Sequence, residues 1–305
     1  MAISRRESDK KTLMNVLVTG ANGQLGMHLR ELASRSEDRY VFTCLHGTPE
    51  VETVYLDICN GEALDLICRS EDIDVIVNCS AYNDVNKAED DVSMANMVNR
   101  TGVENLAAAA LKYNAVLIHI STDYVFDGRK NTPYCEQDAP APLGVYGESK
   151  LSGEKAIIES GCKYFIFRTS WMYSGYRKNF YGTMVSLLES PGEVKVVCDQ
   201  VGTPTYAGDL AEFIFGLISA RRVNSNFGLY HYSDEGVASW YDFACAIARL
   251  RGLPGKVLPC LSVEYRQKAA RPHYSVLDKS LVKKTFGVGI PHWEESLEKF
   301  VKLQK

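Results

Sequence analysis

The sequence lacks three features that would each point to a particular class of protein. It has no apolar run approaching the roughly 18 residues of a membrane-spanning helix, and residues 1–11 are polar, without the apolar core of a secretory signal. It has no basic excess, because 34 lysines and arginines stand against 38 aspartates and glutamates. The formal net charge of −4 offers no basis for binding nucleic acid. We therefore expect neither a membrane nor a nucleic acid among its partners.

The 9 cysteines lack the spacing of a disulfide framework or of a zinc site. No Cys-x-x-Cys pair occurs, and several cysteines fall inside apolar segments, where a free thiol behaves as a small hydrophobic side chain. An odd number of cysteines without framework spacing favours a reducing compartment. We therefore expect a cytoplasmic protein, and we predict no metal site.

Strand and helix signals alternate through the first half of the chain. Short apolar strands are predicted at residues 15–19, 40–45, 53–56, 74–79, 115–120 and 164–168. Helices are predicted from the first strand's glycine loop to about residue 34, at 61–70, at 92–113 and from 143. Because the strands are continuously apolar, this alternation predicts an α/β fold with a doubly wound parallel sheet of the Rossmann type.

The pattern becomes less regular after about residue 171, with helices predicted at 206–220, 239–251 and 294–303. We interpret residues 13–172 as a dinucleotide-binding Rossmann domain and residues 1–12 as a disordered tail. Residues 173–305 are interpreted as a smaller C-terminal substrate-binding lobe, some of whose elements return to the main sheet.

A glycine loop with Gly20, Gly23 and Gly26 lies between the first strand and the first helix. This context is typical of a turn that binds the pyrophosphate of a dinucleotide, although a glycine turn without a ligand is the alternative. No carboxylate follows the second strand at residues 45–48 to bind a ribose 2′-hydroxyl, which favours NADPH over NADH, but no arginine stands there either. Asp57 and its neighbour Ile58 are further cofactor candidates, although Asp57 could equally be a solvated loop acid.

Tyr146 and Lys150 lie one helical turn apart, with Lys150 able to reach the surroundings of the phenol. A free tyrosine has a pKa of roughly 10, and a nearby ammonium lowers it. A chain with 17 tyrosines would contain about one Tyr-x-x-x-Lys by chance, and a half-buried helix tyrosine is the alternative. The position of the pair after the glycine loop favours a proton donor next to a nicotinamide cofactor.

Thr122 is predicted at the end of the strand that precedes this helix, at the sheet edge where ligands of α/β proteins bind. Its hydroxyl could hydrogen-bond a substrate carbonyl oxygen as negative charge develops there. Ser121 is the rival for this role, but neighbouring strand residues point in opposite directions, so only one of the two can face the cofactor.

These motifs, in this order, resemble the extended short-chain dehydrogenase/reductase superfamily and, within it, the dTDP-4-dehydrorhamnose reductase family. The resemblance runs from about residue 14 to residue 303. Its most specific segments are residues 77–82, 85, 87–89, 121–128, 142–150, 167–171, 199–205 and 270–272.

The resemblance implies a role for each matching residue. Tyr146 would be the proton donor, Lys150 its partner and Thr122 the hydroxyl that polarises the carbonyl. The residues that would line the cofactor site, besides the glycine loop and Ile58, are Gln24, Leu25, Asp57, Ser80, Ala81, Tyr82 and Asn99. The residues that would contact the sugar nucleotide are Asn83, Val85, Asp123, Trp171, Gln200 and Arg271, with Arg271 either at a diphosphate or in a surface salt bridge.

The implied reaction is hydride transfer from NADPH or NADH to C4 of dTDP-4-dehydro-β-L-rhamnose, a dTDP-sugar. Two alternatives stay open. A sugar-nucleotide epimerase or dehydratase would share the glycine loop and the Tyr/Lys pair but would retain its cofactor. A non-catalytic relative that resembles the regulatory β subunit of methionine adenosyltransferase would act as a binding partner, although residues 199–205 and Trp171 favour the reductase.

His28 departs from the pattern of this family. Some members are dimers bridged by Mg²⁺ through acidic side chains, one of them just after the glycine loop, and here that position holds a histidine. We therefore predict no magnesium-bridged dimer of that type, and expect a monomer or a weak homodimer.

Overall fold

The structure, a computed structural model, describes residues 13–47, 51–265 and 267–304. The predicted disordered tail at residues 1–12 lies outside the described residues, as does residue 48 of the segment after the second strand. Within the described part of the chain, no helix has both the length and the apolar character needed to cross a bilayer.

Seven parallel strands form the central sheet, in the order β11-β6-β5-β4-β1-β2-β3. The strands of the protein are β1 (Asn15–Thr19), β2 (Arg39–Cys44), β3 (Val54–Tyr55), β4 (Val75–Asn78), β5 (Val116–Thr122), β6 (Lys163–Thr169), β7 (Met172–Tyr173), β8 (Glu193–Val197), β9 (Val201–Gly202), β10 (Thr205–Tyr206), β11 (Gly228–His231), β12 (Ala238–Ser239) and β13 (Lys256–Cys260). The predicted doubly wound sheet is confirmed. Its strand order reverses between β1 and β4, and this reversal opens a crevice at the carboxyl ends of the two strands.

Helices cover both faces of the sheet. They are α1 (Gln24–Ala33), α2 (Gly61–Ser70), α3 (Val85–Ala88), α4 (Val92–Asn96), α5 (Gly102–Lys112), α6 (Val145–Ser160), α7 (Phe180–Leu188), α8 (Ala207–Ser219), α9 (Trp240–Arg251), α10 (Ser280–Phe286) and α11 (Trp293–Leu303). The helix predicted over residues 92–113 is present, but a π-helical turn at Met97–Thr101 joins α4 to α5. The short helices α3 and α10, and helix α7, were not predicted.

The apolar strands have core on both sides, as their continuous hydrophobicity predicts. Val16, Val18 and Val77 pack into one cluster, which includes buried side chains of α1, α8 and α10. Leu17 and Ile76, the alternate residues of the same strands, pack into a second cluster with α2 and α5. Elements from the second half of the chain thus complete the main sheet and one of its faces.

A third apolar cluster belongs to the second half of the chain. Tyr173, Phe243, Trp293 and Phe300 are buried in it, between α7, α9 and α11. Three pairs of short strands accompany this cluster, β7 with β10, β8 with β13 and β9 with β12. The division of the chain into domains at residue 172 stays a prediction.

The turn between β1 and α1 depends on the absence of side chains. Gly20 has a φ of +61°, and a Cβ there would lie 2.7 Å from the backbone of Cys79 at the end of β4. A Cβ on Gly26 would lie 2.5 Å from the Cα of Ala21. Both glycines therefore let the loop approach the edge of the sheet closely, which places the start of α1 over the crevice.

Candidate active site

A cleft of about 470 Å³ lies at the carboxyl edge of the sheet, between the glycine loop, the ends of β4 and β5, and residues from the second half of the chain. The predicted residues that line it are Gly23, Gln24, Leu25, Ser80, Ala81, Asn83, Val85, Thr122, Asp123, Tyr146, Lys150, Trp171 and Arg271. The structure therefore brings together residues from nearly the whole chain. Their individual roles stay predictions.

Tyr146 lies in the first turn of α6, next to Thr122 at the end of β5. Its ring meets that of Tyr124 edge to face, with centroids 5.6 Å apart. Burial raises the pKa of the Tyr146 phenol, and a hydrogen bond with Thr122 offsets only part of this rise. Burial sets the direction of this shift, and the expectation that the Lys150 ammonium lowers the pKa stays a prediction.

Lys150 points towards the sheet from the next turn of α6. Its Nζ donates a hydrogen bond to the carbonyl oxygen of Ile120 over 2.6 Å and lies 3.4 Å from Nε2 of His119. Burial lowers the pKa of the Lys150 ammonium to about 8, although the carboxylate of Glu154 acts in the opposite direction. The lysine is thus close to its titration range at neutral to mildly alkaline pH.

Ser121 and Thr122 have separate hydrogen-bond partners. The Ser121 hydroxyl donates to Glu154, which also holds Arg168 through two bonds, Nε to Oε1 at 2.9 Å and Nη2 to Oε2 at 2.6 Å. Thr122 accepts from the backbone N–H of Tyr124 and hydrogen-bonds Tyr146. Because the Ser121 hydroxyl serves the buried Glu154–Arg168 pair, the geometry favours Thr122 as the hydroxyl available to a ligand.

Asp123 follows Thr122 directly and is buried. Its Oδ1 accepts a hydrogen bond from the Thr122 hydroxyl over 3.2 Å, whereas Oδ2 has no partner among the described residues. Burial raises the pKa of this carboxyl to about 7, although the nearby hydroxyls of Ser275 and Thr122 act in the opposite direction. An unpaired, buried carboxyl oxygen beside the cleft is suited to accept a hydrogen bond from a ligand hydroxyl.

Trp171 lines the cleft from an uncommon backbone conformation. Its φ is +47°, and its ring stacks on that of Trp240, with centroids 3.6 Å apart and planes 8° from parallel. A Cβ on Gly202 would lie 2.6 Å from Cε2 of Trp171, so glycine at that position leaves the space that the indole occupies. The two tryptophans give the cleft a flat apolar wall. Trp240 was not predicted, because it comes from a helix far along the chain.

The sequence also gave no prediction for Arg177 and Lys178, which line the same cleft. Arg177 has a φ of +59°, and its Nε donates to the carbonyl oxygen of Asn22 in the glycine loop over 2.6 Å. Asn179 donates to Gln24 over 3.0 Å and caps α7. Two adjacent cations before a capping asparagine are the sequence signal that could have found this segment. With Lys150 and Arg271, they give the cleft four basic side chains.

Several predicted residues do not line this cleft: Gly20, Gly26, Asp57, Ile58, Tyr82, Asn99 and Gln200. The side chain of Asp57 accepts from the backbone N–H of Cys59, and that of Gln200 donates to Ser262. Asn99 bonds the backbone N–H and carbonyl of Tyr82 and the hydroxyl of Ser149, so it ties the loop after β4 to α6. Ligand contacts by these residues stay predictions, and for Gln200 the geometry points away from the cleft.

His28 is buried on α1. Its ring meets those of Tyr176 and Tyr206 edge to face, each at 5.2 Å, and Nδ1 lies 3.1 Å from Oε2 of Glu31. Burial lowers the pKa of this histidine. Among the residues that the structure describes, no cluster of three or more histidines, cysteines or acids could hold a metal ion. The prediction about the dimer is not tested by these contacts.

Comparison with known proteins identifies the family of this chain. Residues 14–305 match the family model of the RmlD substrate binding domain. The chain belongs to this family. A dTDP-4-dehydrorhamnose reductase from Sinorhizobium fredii is 39% identical over 305 residues, covering 94% of this chain and 97% of the relative. The resemblance expected from the motifs is therefore confirmed.

Solved structures of RmlD-family relatives superpose closely on this chain. A dTDP-4-dehydrorhamnose reductase from Clostridium acetobutylicum has a TM-score of 0.88 at 38% identity, covering 95% of this chain and 99% of the relative. The enzyme of that name from Bacillus anthracis, solved in complex with NADP, has a TM-score of 0.86 at 37% identity, covering 96% and 100%. Both similarities extend over the main sheet and the second half of the chain together.

Proposed function

We propose that this protein reduces the C4 carbonyl of dTDP-4-dehydro-β-L-rhamnose to give dTDP-L-rhamnose, with NADPH as the reductant. The observation that carries the proposal is that Tyr146, Thr122 and Lys150 meet in one cleft with the glycine loop. Relatives that bear the name of this reaction match the chain over nearly its full length.

The glycine loop fits the diphosphate of a dinucleotide. Helix α1 begins after Gly23, which has no side chain to cap the helix, so its first backbone N–H groups are available to phosphate oxygens. Gly23, Gln24, Leu25, Ser80 and Ala81 would hold the cofactor along the crevice. When bound, NADPH supplies the hydride that reduces the carbonyl carbon.

Residues of the protein stabilise the negative charge that develops on the substrate oxygen and supply the proton that the oxygen receives. As C4 is reduced, negative charge develops on its oxygen, and the Thr122 hydroxyl, which bonds Asp123 in the free protein, would turn to donate a hydrogen bond to that oxygen. The Tyr146 phenol, kept protonated by its raised pKa, donates its proton to the same oxygen to form the alcohol. Lys150 in its charged form would stabilise the phenolate that is left, since an ammonium favours the charged partner.

The opposite side of the cleft suits a deoxysugar nucleotide. The wall formed by Trp171 and Trp240 would pack against the apolar C6 methyl group of the sugar. Asp123 and Asn83 would bond sugar hydroxyls, and Arg271 would pair with the diphosphate of the substrate. Arg177 bonds the glycine loop, where it would neutralise the diphosphate of the cofactor, and Lys178 would add a second positive charge to the same cleft.

All nine cysteines are free thiols in the structure. Free thiols together with the soluble composition support a location in the cytoplasm, where thiols stay reduced. A monomer or weak homodimer stays our prediction for the oligomeric state.

The test is to follow NADPH absorbance in the presence of dTDP-4-dehydro-β-L-rhamnose generated in situ. We expect stoichiometric oxidation of NADPH and formation of dTDP-L-rhamnose. Retained cofactor without net oxidation would indicate an epimerase or dehydratase, and cofactor binding without any turnover would indicate a non-catalytic relative.

A substitution tests the role of Tyr146 separately. Tyr146→Phe should abolish turnover while NADPH still binds, because only the phenolic proton is removed. Tyr113→Phe, which removes a hydroxyl bonded to Asp65 on the protein surface, is the matched control and should leave turnover unchanged. Normal turnover in Tyr146→Phe would remove Tyr146 from its role.

A further inference from the structure

His119 is a fully buried histidine on β5 that the proposed reaction does not use directly. It lies between two side chains of the cleft. Its Nδ1 is 2.9 Å from Nδ2 of Asn78 at the end of β4, and its Nε2 is 3.4 Å from Nζ of Lys150. Asn78 in turn receives a hydrogen bond from the hydroxyl of Thr19 over 2.6 Å. The side chains of these residues form one buried chain of hydrogen bonds that leads from β1 to Lys150.

The direction of every hydrogen bond in this chain follows from one backbone group. The N–H of Ser80 points at Oδ1 of Asn78 over 3.1 Å, and a backbone N–H can only donate. The oxygen of the Asn78 amide must therefore face Ser80, which leaves the NH₂ group to donate to Nδ1 of His119. Because Nδ1 accepts, the proton of the neutral imidazole sits on Nε2 and faces Lys150.

We propose that Asn78 and His119 are positioning residues that favour the neutral amine of Lys150 in the free protein, so that at mildly alkaline pH Lys150 takes up a proton when the cofactor binds. A neutral amine can accept the Nε2–H of His119 and still donate to the carbonyl of Ile120. An ammonium has no lone pair and cannot accept a hydrogen bond. Its N–H groups would therefore face the N–H of the imidazole, with two donors and no acceptor.

The other charged groups around Lys150 are few. The titratable groups facing it are Glu154 on its own helix, Cys79 at the end of β4 and His119 on β5. Tyr146 and Asp123 line the same cleft. Glu154 favours the ammonium but is already paired with Arg168, and burial lowers the pKa of Lys150 to about 8. The imidazole of His119 cannot compensate by charging, because burial holds its pKa well below 6.5.

Proton uptake would connect cofactor binding to the strength of the proton donor. A dinucleotide brings negatively charged phosphates and ribose hydroxyl oxygens into the cleft, and both favour an ammonium. At mildly alkaline pH, Tyr146 would then gain its charged partner mainly when the cofactor is present. This inference rests on the proposed function only in taking the cleft as the NADPH site.

The tautomer of His119 can be observed directly in the free protein. Two-bond ¹H–¹⁵N correlation spectra of protein labelled at its 6 histidines should show His119 with the proton on Nε2 and an unprotonated Nδ1 between pH 8 and 9, where Lys150 is mainly neutral. The His119→Gln variant identifies the signal by its disappearance. A protonated Nδ1 would overturn the proposal.

The number of protons taken up can be measured by calorimetric titration of NADPH into the protein at pH 8.5. The heat of binding is compared between buffers of different ionisation enthalpy. The phosphates of the cofactor no longer titrate there, because their second pKa is about 6. Lys150 with a pKa of about 8 is roughly one-quarter protonated at this pH, so we expect an uptake of roughly three-quarters of a proton. No uptake by the unmodified protein would overturn the proposal.

Asn78→Asp reverses the direction of the hydrogen bond between residue 78 and His119, while the new side chain has nearly the same shape as the old one. A carboxylate only accepts, so His119 must donate from Nδ1 and turn the lone pair of Nε2 towards Lys150. Lys150 is then an ammonium in the free protein, and the uptake should fall to near zero. Asn83→Asp, which adds the same charge to the cleft from the loop after β4, is the matched control and should retain the uptake.

Loss of proton uptake in both variants would show that the added negative charge alone acts on Lys150. Retention of the uptake in Asn78→Asp would show that the hydrogen bonds through Asn78 and His119 do not control the charge of Lys150. Either result would overturn the proposal. Sugar turnover enters none of these measurements, so a protein that binds NADPH but reduces another sugar would fail the proposed function and still pass these tests.

Discussion

Trp171 and Trp240 stack face to face with their ring centroids 3.6 Å apart, although one follows β6 and the other begins α9. Gly202 lies against the Trp171 ring, where any larger residue would overlap it. The position of the apolar wall therefore depends on a residue that contributes no side chain.

Gly202→Ala should weaken binding of the sugar nucleotide. The new methyl group would lie 2.6 Å from Cε2 and 2.8 Å from Cζ2 of Trp171, so the indole must move. We expect KM for the sugar nucleotide to rise about tenfold or more, and stability to fall by roughly 1–3 kcal/mol, as in other overpacked sites. The dissociation constant of NADPH should not change.

The matched control is Gly192→Ala, where a Cβ would meet nothing within 4 Å. Steady-state kinetics with both variants, together with denaturant unfolding, checks this prediction. An unchanged KM in Gly202→Ala would show that Trp171 does not contact the sugar.

Arg177→Gln should weaken binding of NADPH. Arg177 combines a positive φ of +59° with a hydrogen bond to the glycine loop, and such a conformation costs roughly 1–2 kcal/mol in a residue with a side chain. Loss of one charge-assisted contact, about 1.5 kcal/mol or more, corresponds to an increase of at least tenfold in the NADPH dissociation constant. The affinity should also become less sensitive to salt.

Fluorescence titration with NADPH at two salt concentrations measures both effects. Arg129→Gln removes the same charge from a highly exposed side chain outside the cleft and should bind NADPH normally. Equal affinities in the two variants would exclude Arg177 from the cofactor site.

Asp123 should make the folded protein less stable as the pH rises. Its pKa is raised to about 7 by burial, so between about pH 4 and pH 7 the folded state binds more protons here than the unfolded state does. The stabilisation present below pH 4 is therefore lost progressively up to about pH 7. The difference between about 7 and the ordinary 3.8 corresponds to at most roughly 4 kcal/mol.

Asp123→Asn isolates this contribution, because it cannot titrate. The free energy of unfolding of the original protein, minus that of the variant, should fall between pH 4 and pH 7 and then level off. A difference that stays constant over this range would mean that Asp123 titrates normally.

The sequence predicted the parts of the site that depend on local order along the chain. The glycine loop, Thr122 and the Tyr146–Lys150 pair each lie at the end or start of a predictable strand or helix, and parallel strands carry such residues to one edge. Arg177 and Trp240 were not predicted, because their place in the cleft depends on how the second half of the chain packs onto the first.

The extent to which Tyr146 and Lys150 are buried could not be predicted from the sequence either. The spacing of Tyr146 and Lys150 suggested that the lysine lowers the pKa of the phenol, but the pKa of each residue is set mainly by desolvation. Gln200 lies in a family-specific segment, yet its side chain turns to Ser262. The segment lies near Trp171, with Gly202 against the ring, but the motif does not fix the direction of each side chain within it.

Tyr146, Lys150 and Glu154 occupy one face of α6 at successive intervals of four residues. The two bonds between Glu154 and Arg168 fasten that face to β6. The helix therefore cannot rotate or slide to suit a different ligand without breaking a buried ion pair, a loss of roughly 3–5 kcal/mol. Within this architecture, a change of sugar specificity would have to arise on the side of Trp171, Trp240 and Arg271, while the reacting groups keep a single fixed geometry.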